Sequence, residues 1–252
     1  MPRLSVHYLP QFVSETELAD STVVVIDLLR ASSTICHALS AGAKCVMPFV
    51  EVDEVRDKAS ALMSSSVVLG GERGGRRIEG FDLGNSPTEY TPEKVFGKTI
   101  LFSTTNGARA VAHAHLAQRI LIGSTSNRRA VVAALAEEPA IDILCAGTGG
   151  NVTREDILAA GAIVDSLLSI PDSHWETNKW VDPVRGEWQE LLSTANALGR
   201  SVSAQLALEL RETTGGKNLL AIGHDFDLDV CAQIDTLDLA PELDPVSAAI
   251  YL

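Results

Sequence analysis

VVVIDLLRASSTI, residues 23–35, decides the fold. Val23 to Ile26 are β-branched without a polar break, the pattern of a strand buried on both faces. The strand ends in Asp27, and Ser32, Ser33 and Thr34 open a helical pattern over 32–42. A buried strand that runs within a few residues into a helix is the building unit of a parallel sheet.

Moving outward, the same order repeats. KCVMPF (44–49), SVVLGG (66–71), KTILFS (98–103), RILIG (119–123) and IDILCAG (141–147) read as further buried strands. Segments 51–63, 107–117 and 126–136 carry Ala, Leu and Val at helical spacing. Alternation of this kind with right-handed crossovers predicts an α/β fold, a three-layer α/β/α sandwich on a mostly parallel sheet, and a single domain over 1–252. The stretch PDSHWETNKWVDPVRGEW (171–188) departs from the pattern and holds all three tryptophans, so it reads as an insertion, a lid or an oligomer contact. Residues 189–198, 201–211 and 217–222 read as helices, followed by an acidic segment at 224–244 and a short apolar end.

Composition narrows the function. An apolar content of 46% over 252 residues suffices for a core without staples. No apolar run reaches the ~20 residues needed to cross a bilayer, and the first residues lack the basic-then-apolar order of a secretory signal. A cytoplasmic location is expected. Cys36, Cys45, Cys145 and Cys231 are widely spaced in apolar company and read as reduced core thiols. The net charge of −13 is uneven: residues 1–130 hold 14 Lys and Arg against 13 Asp and Glu, and residues 131–252 hold 6 against 20. So negative a field excludes nucleic acid and anionic membrane as partners and leaves a small anionic ligand. A homo-oligomer is compatible with all of this.

In open α/β sheets ligands bind beyond the carboxyl ends of the strands, where helix N-termini offer N–H groups to anions. The polar residues collect there. Asp27, Arg30, Ser32 and Ser33 follow the first strand; the plain structural alternative pairs Asp27 with Arg30 and makes the serines helix caps. GGERGGRRIEGFDLGNSP places Glu72, Arg73, Arg76 and Arg77 among glycines, which suits oxyanion binding or a solvated loop. Thr105, Asn106 and Gly107 enter a helix directly from a strand, an oxyanion arrangement or a simple turn. Thr153 and Asp156, beyond CAGTGG, have the spacing of a capping box, so Asp156 is a metal candidate with a structural alternative.

The usual motifs of several phosphate chemistries are absent. No GxxxxGK[ST] pattern occurs. The position two after Asp27, where aspartyl-phosphate enzymes carry a second acid, is Leu29. Six residues after Cys145, where a thiol phosphatase carries arginine, stands Asn151.

Taken in order, VVVIDLLRASSTI, GERGGRRIEGFDLGNSP, GKTILFSTTNGARA, CAGTGG with ED, and GHDFDLDVCAQID resemble the 2-phosphosulfolactate phosphatase family from about Val23 to Asp235. The resemblance implies an α/β phosphatase that requires Mg²⁺ and removes phosphate from 2-phospho-3-sulfolactate, a step of coenzyme M biosynthesis. Carried onto matching positions, it makes Asp27, Arg30, Glu72, Arg73, Asn85, Ser86, Thr105, Asn106, Gly107 and Asp156 candidates. Catalysis is expected from Asp27, Arg30 and Glu72, and metal binding from Asp27, Glu72 and Asp156. Substrate contacts are expected from Ser32, Ser33, Arg73, Asn85, Ser86, Thr105, Asn106 and Gly107. A phosphorylated, sulfonated carboxylic acid carries roughly four negative charges, so a metal and several cationic donors are needed to hold it. A hydrolase or phosphotransferase acting on another phosphorylated 2-hydroxy acid, and a non-catalytic anion-binding protein, remain as alternatives.

Overall fold

The computed structural model describes residues 1–171 and 174–252. Its first half runs β1 (Arg3–His7), β2 (Thr22–Ile26), α1 (Ala31–Ser40), β3 (Cys45–Phe49), α2 (Val52–Ser60), β4 (Val67–Arg73), β5 (Arg76–Arg77), α3 (Pro92–Val95), β6 (Thr99–Ser103) and α4 (Gly107–His113). The second runs β7 (Arg119–Ile122), α5 (Arg128–Leu135), β8 (Ala140–Cys145), α6 (Arg154–Leu168), β9 (Glu176–Thr177), α7 (Val181–Ala197), α8 (Val202–Glu212), α9 (Thr214–Ala221), α10 (Asp225–Cys231), β10 (Glu242–Asp244) and β11 (Ala249–Tyr251). The six apolar runs are β2, β3, β4, β6, β7 and β8, within a residue or two of the expected ends.

Every residue of β2 is buried, and its alternation serves both faces of the sheet. Val24 and Ile26 join a core made with β1, β7, β8 and helices α5 to α10, whereas Val23 and Val25 join one made with α1, α4, β3 and β6. The three-layer expectation is met. A third cluster packs Val55 of α2 against Leu101, Ile78 and Phe81.

The sheet order is β5-β4-β6-β3-β11-β10-β7-β2-β8-β1-β9. Strands β4, β6 and β3 pair in parallel, as do β7, β2, β8, β1 and β9. The β10–β11 hairpin joins the two groups, antiparallel to β7 on one side and to β3 on the other. The short apolar C-terminus therefore fills the middle of the sheet, with Ile250 fully buried opposite Val46. The acidic segment before it holds α10, which packs Leu228 and Cys231 into the core.

Within the segment 171–188, Asp172 and Ser173 lie outside the described residues. Of the remainder, β9 pairs with β1 at the sheet edge, and Val181, Val184 and Trp188 begin α7 inside the core. Trp180 packs on Tyr8 with ring centroids 4.6 Å apart and ring planes tilted by 37°. No helix among the described residues is long and apolar enough to cross a membrane.

Helix α7 comes close to α6 at Gly161, where a Cβ atom would lie 2.2 Å from the Val184 carbonyl oxygen. Backbone opposes that atom, so it cannot be accommodated by a side-chain rotation. Gly161→Ala is expected to lower stability by about 1–3 kcal/mol, read as a fall in denaturation midpoint; an unchanged or raised midpoint would contradict the close approach.

Candidate active site

The loops after β2, β4, β6 and β8 meet in a cavity of about 410 Å³, closed on its far side by α9. Six of the expected site residues line it: Asp27, Arg30, Glu72, Asn85, Thr105 and Asn106. The sequence reading missed Thr148 and Gly149 of the loop after β8, and Gly215 and Asn218 of α9.

Asp27 follows directly on β2 and is only 6% exposed. The wall around it is tight: a Cβ at Gly107 would lie 2.9 Å from Asp27 Oδ2 and 2.6 Å from Ala31 Cβ, so glycine is what lets α4 begin here. Burial above all, then the negative charge of Glu72, pushes the Asp27 carboxyl up to about 7, against the pull of a hydrogen bond from Ala31 N–H and with a smaller push from Glu155. Glu72 closes β4 and binds two loops at once, its Oε1 accepting Thr105 N–H at 2.8 Å and its Oε2 accepting Gly75 N–H at 2.7 Å.

Asp156, in the first turn of α6, accepts Leu28 N–H and Gly147 N–H at 2.9 Å each, one on each oxygen. It thereby ties the loop after β2 to the loop after β8 and does not line the cavity. Thr153 Oγ1 donates to Asp156 at 3.3 Å but caps no backbone N–H, so the expected capping box is not formed. Burial and the charges of Asp27 and Glu155 hold the Asp156 carboxyl well above the ordinary range. Glu155 is itself buried, raised chiefly by burial, and packed where a Cβ at Gly215 would lie 2.0 Å from its Oε1.

Arg30 does not pair with Asp27. Its Nη1 donates to Asp227 at 2.5 Å and its Nη2 to the Gly75 carbonyl at 2.8 Å. Arg73 turns away from the cavity to the Val50 carbonyl at 2.7 Å and Ser103 Oγ at 2.9 Å. The serines are internal braces: Ser32 Oγ accepts Asp27 N–H, Ser33 Oγ donates to the Leu28 carbonyl, and Ser86 Oγ donates to Asp227 at 2.5 Å. The N–H of Thr105, expected to face an oxyanion, is committed to Glu72. Asn106 accepts Gly149 N–H through Oδ1, which leaves its amide nitrogen as a donor. Thr105 Oγ1 and Asn85 Oδ1 are buried in the cavity-lining residues without a hydrogen-bond partner.

The charged side chains lining the cavity are thus Asp27, Glu72 and an Arg30 already paired with Asp227. Two oxygen-rich carboxylates with surplus negative charge suit a hard divalent cation. Among the described residues no cluster of three or more His, Cys, Asp or Glu is arranged to hold one ion, so Asp27, Glu72 and Asp156 do not form a three-carboxylate cage. All four cysteines are free and buried, and burial with the nearby Asp156 charge holds the Cys145 thiol well above its ordinary range. None is placed as a thiolate nucleophile.

A cavity at strand ends whose wall carries two buried carboxylates and a guanidinium is that of an enzyme for a small charged substrate, and relatedness makes its class phosphoric monoester hydrolase. A family model described as 2-phosphosulpholactate phosphatase matches residues 7–245. The chain is 39% identical over 222 residues to a probable 2-phosphosulfolactate phosphatase of Prochlorococcus marinus (strain MIT 9303), covering 86% of this chain and 87% of that one. It is 40% identical over 226 residues to one of Symbiobacterium thermophilum (89% and 92%) and 36% over 232 residues to one of Caldanaerobacter subterraneus (92% and 91%). The chain belongs to the 2-phosphosulpholactate phosphatase family.

The raised Asp27 carboxyl carries a stability cost with a definite sign. Below its unfolded value of 3.8 the group is protonated in both states, and as pH rises to about 7 the unfolded chain ionises while the folded one resists, so stability falls across that window. In metal-free protein, Asp27→Asn should remove this part of the fall and flatten the dependence of stability on pH between 3.8 and about 7. Unfolding midpoints of both proteins at pH 5 and pH 8 check it; parallel pH profiles would show that Asp27 is not the strained group.

Proposed function

We propose that this chain hydrolyses 2-phospho-3-sulfolactate, or a phosphorylated 2-hydroxy acid of similar charge, to the free hydroxy acid and phosphate, by direct attack of water and with Mg²⁺ as cofactor. Charge balance in the cavity carries the reading. A substrate with roughly four negative charges is repelled by Glu72 and by an ionised Asp27 when the lining guanidinium is already neutralised, and a divalent cation would offset that repulsion.

Asp27 and Glu72 are the residues that would hold Mg²⁺, which when bound would offset the phosphate charge and orient water. Two carboxylates suffice for a metal that keeps several waters. The protein supports this placement by burying Asp27 at the end of an immobile strand and by fixing Glu72 through two main-chain N–H groups. Arg30 and the side chains of Thr105, Asn106 and Asn85 supply the directional contacts to phosphate and carboxyl oxygens. In the reaction the bond from water oxygen to phosphorus forms, the phosphorus–ester oxygen bond breaks, and the hydroxyl of the acid takes up a proton. A purely anion-binding role is disfavoured, since two carboxylates in the wall of an anion receptor would weaken it. Carried out in the cytoplasm, this step would serve coenzyme M biosynthesis, as the family resemblance implies.

Phosphate release from 2-phospho-3-sulfolactate and a panel of other phosphorylated hydroxy acids should require Mg²⁺, vanish in chelator and return on adding metal. Full turnover in chelator would remove the metal from the account. Asp27→Asn should fold, bind Mg²⁺ weakly and lose turnover by about two or more orders of magnitude. A variant that is less stable yet turns over normally would make Asp27 a structural residue only.

A further inference from the structure

Arg30 shares the cavity wall with Asp27 and Glu72. A guanidinium beside two carboxylates would ordinarily pair with one of them, and a pair of that kind would block the carboxylates and consume the arginine's donors together. That does not happen here because a third acid, almost 200 residues further along the chain, holds the arginine. Asp227 and Arg30 form a 2.5 Å ion pair, with side chains 3% and 2% exposed. Asp227 is oriented in turn: its Oδ1 accepts Ser86 Oγ at 2.5 Å, and His224 Nδ1 lies 3.2 Å from its Oδ2. On the other side of Arg30, Nη2 donates to the Gly75 carbonyl, and the Gly75 N–H is held by Glu72. The arginine is clamped between α10 and the β4–β5 turn.

We propose that Asp227 is a positioning residue of the active site, which holds the Arg30 guanidinium in the cavity wall and keeps it from pairing with Asp27 and Glu72. The inference rests on the reading of Arg30 as a substrate contact and extends it to a residue that touches no substrate. It also gives Ser86 a role: its hydroxyl fixes Asp227 and binds no ligand. Because the Arg30–Asp227 pair is neutral, Arg30 contributes aimed N–H donors to the site and little net charge.

A double-mutant cycle on the full chain tests this, using kcat and KM together with a melting curve for each variant. Asp227→Asn should lower kcat/KM about a hundredfold, the order of loss that a misplacement of about 1 Å causes, and a crystal structure of the variant should show Arg30 turned onto Asp27 or Glu72. Arg30→Met removes the charge that Asp227 restrains, so adding Asp227→Asn in that background should change kcat/KM by less than about threefold, the scatter of independent sites. The double variant leaves neither charge buried alone, which keeps the cycle measurable if Asp227→Asn folds poorly. Equal losses from Asp227→Asn in both backgrounds, or Arg30 unmoved in the variant structure, would overturn the inference and leave the reading of Arg30 standing. An Arg30→Met enzyme with wild-type kcat/KM would instead sink the reading on which the inference depends.

Discussion

A carboxylate buried at the end of a strand has to be compensated, and the loops around Asp27 are arranged by that need. Asp27 is flanked by the charges of Glu72 and Glu155, and Asp156 stands within electrostatic reach. The chain answers with main-chain hydrogen bonds: Ala31 to Asp27, Thr105 and Gly75 to Glu72, Leu28 and Gly147 to Asp156. These bonds join the end of β2 to that of β8 and the end of β4 to that of β6, and the Arg30–Gly75 and Gly149–Asn106 contacts link the two pairs around the cavity. They do not cancel the negative charge of Asp27 and Glu72, which remain in the cavity wall.

The sheet makes this convergence possible. One parallel group, β3, β4 and β6, is continuous in sequence, the other takes β1 and β2 from before it and β7 to β9 from after it, and the two are joined by a hairpin from the last residues of the chain. Each group brings carboxyl-end loops to one cavity, Asp27 and Thr148 from one, Glu72 and Thr105 from the other. Helix α9 then completes the wall from the second half, with Asn218 in the cavity, and α10 places Asp227 behind Arg30. The cavity and its supports thus draw on residues from both halves of the chain.

Much of this was legible in the sequence, and the exceptions have physical causes. The run of β-branched residues at 23–26 could only be a buried strand, and the βα alternation after it gave the layers. The middle of the sheet was not legible, because β10 and β11 have three residues each and pair with their neighbours outside the hairpin at single positions. Glu72 and Arg73 looked like partners in one site, but successive strand residues point to opposite sides, and only Glu72 reaches the cavity. Ser32 and Ser33 offered hydroxyls to a ligand on paper, whereas their burial turns those hydroxyls to the main chain. Asp227 is one of several acids in the segment 224–244 with nothing in its spacing to single it out, and only the fold shows that it faces Arg30.

The central claim is that Asp27 and Glu72 form the two-carboxylate seat of a divalent cation in an otherwise over-negative cavity. The most direct measurement is anomalous diffraction from crystals grown with Mn²⁺ in place of Mg²⁺. The account predicts one strong peak within coordination distance of Asp27 and Glu72, at the cavity wall beside Thr105 and Asn106. A fully active enzyme whose crystals show no peak there, or a peak held by other residues, would contradict it.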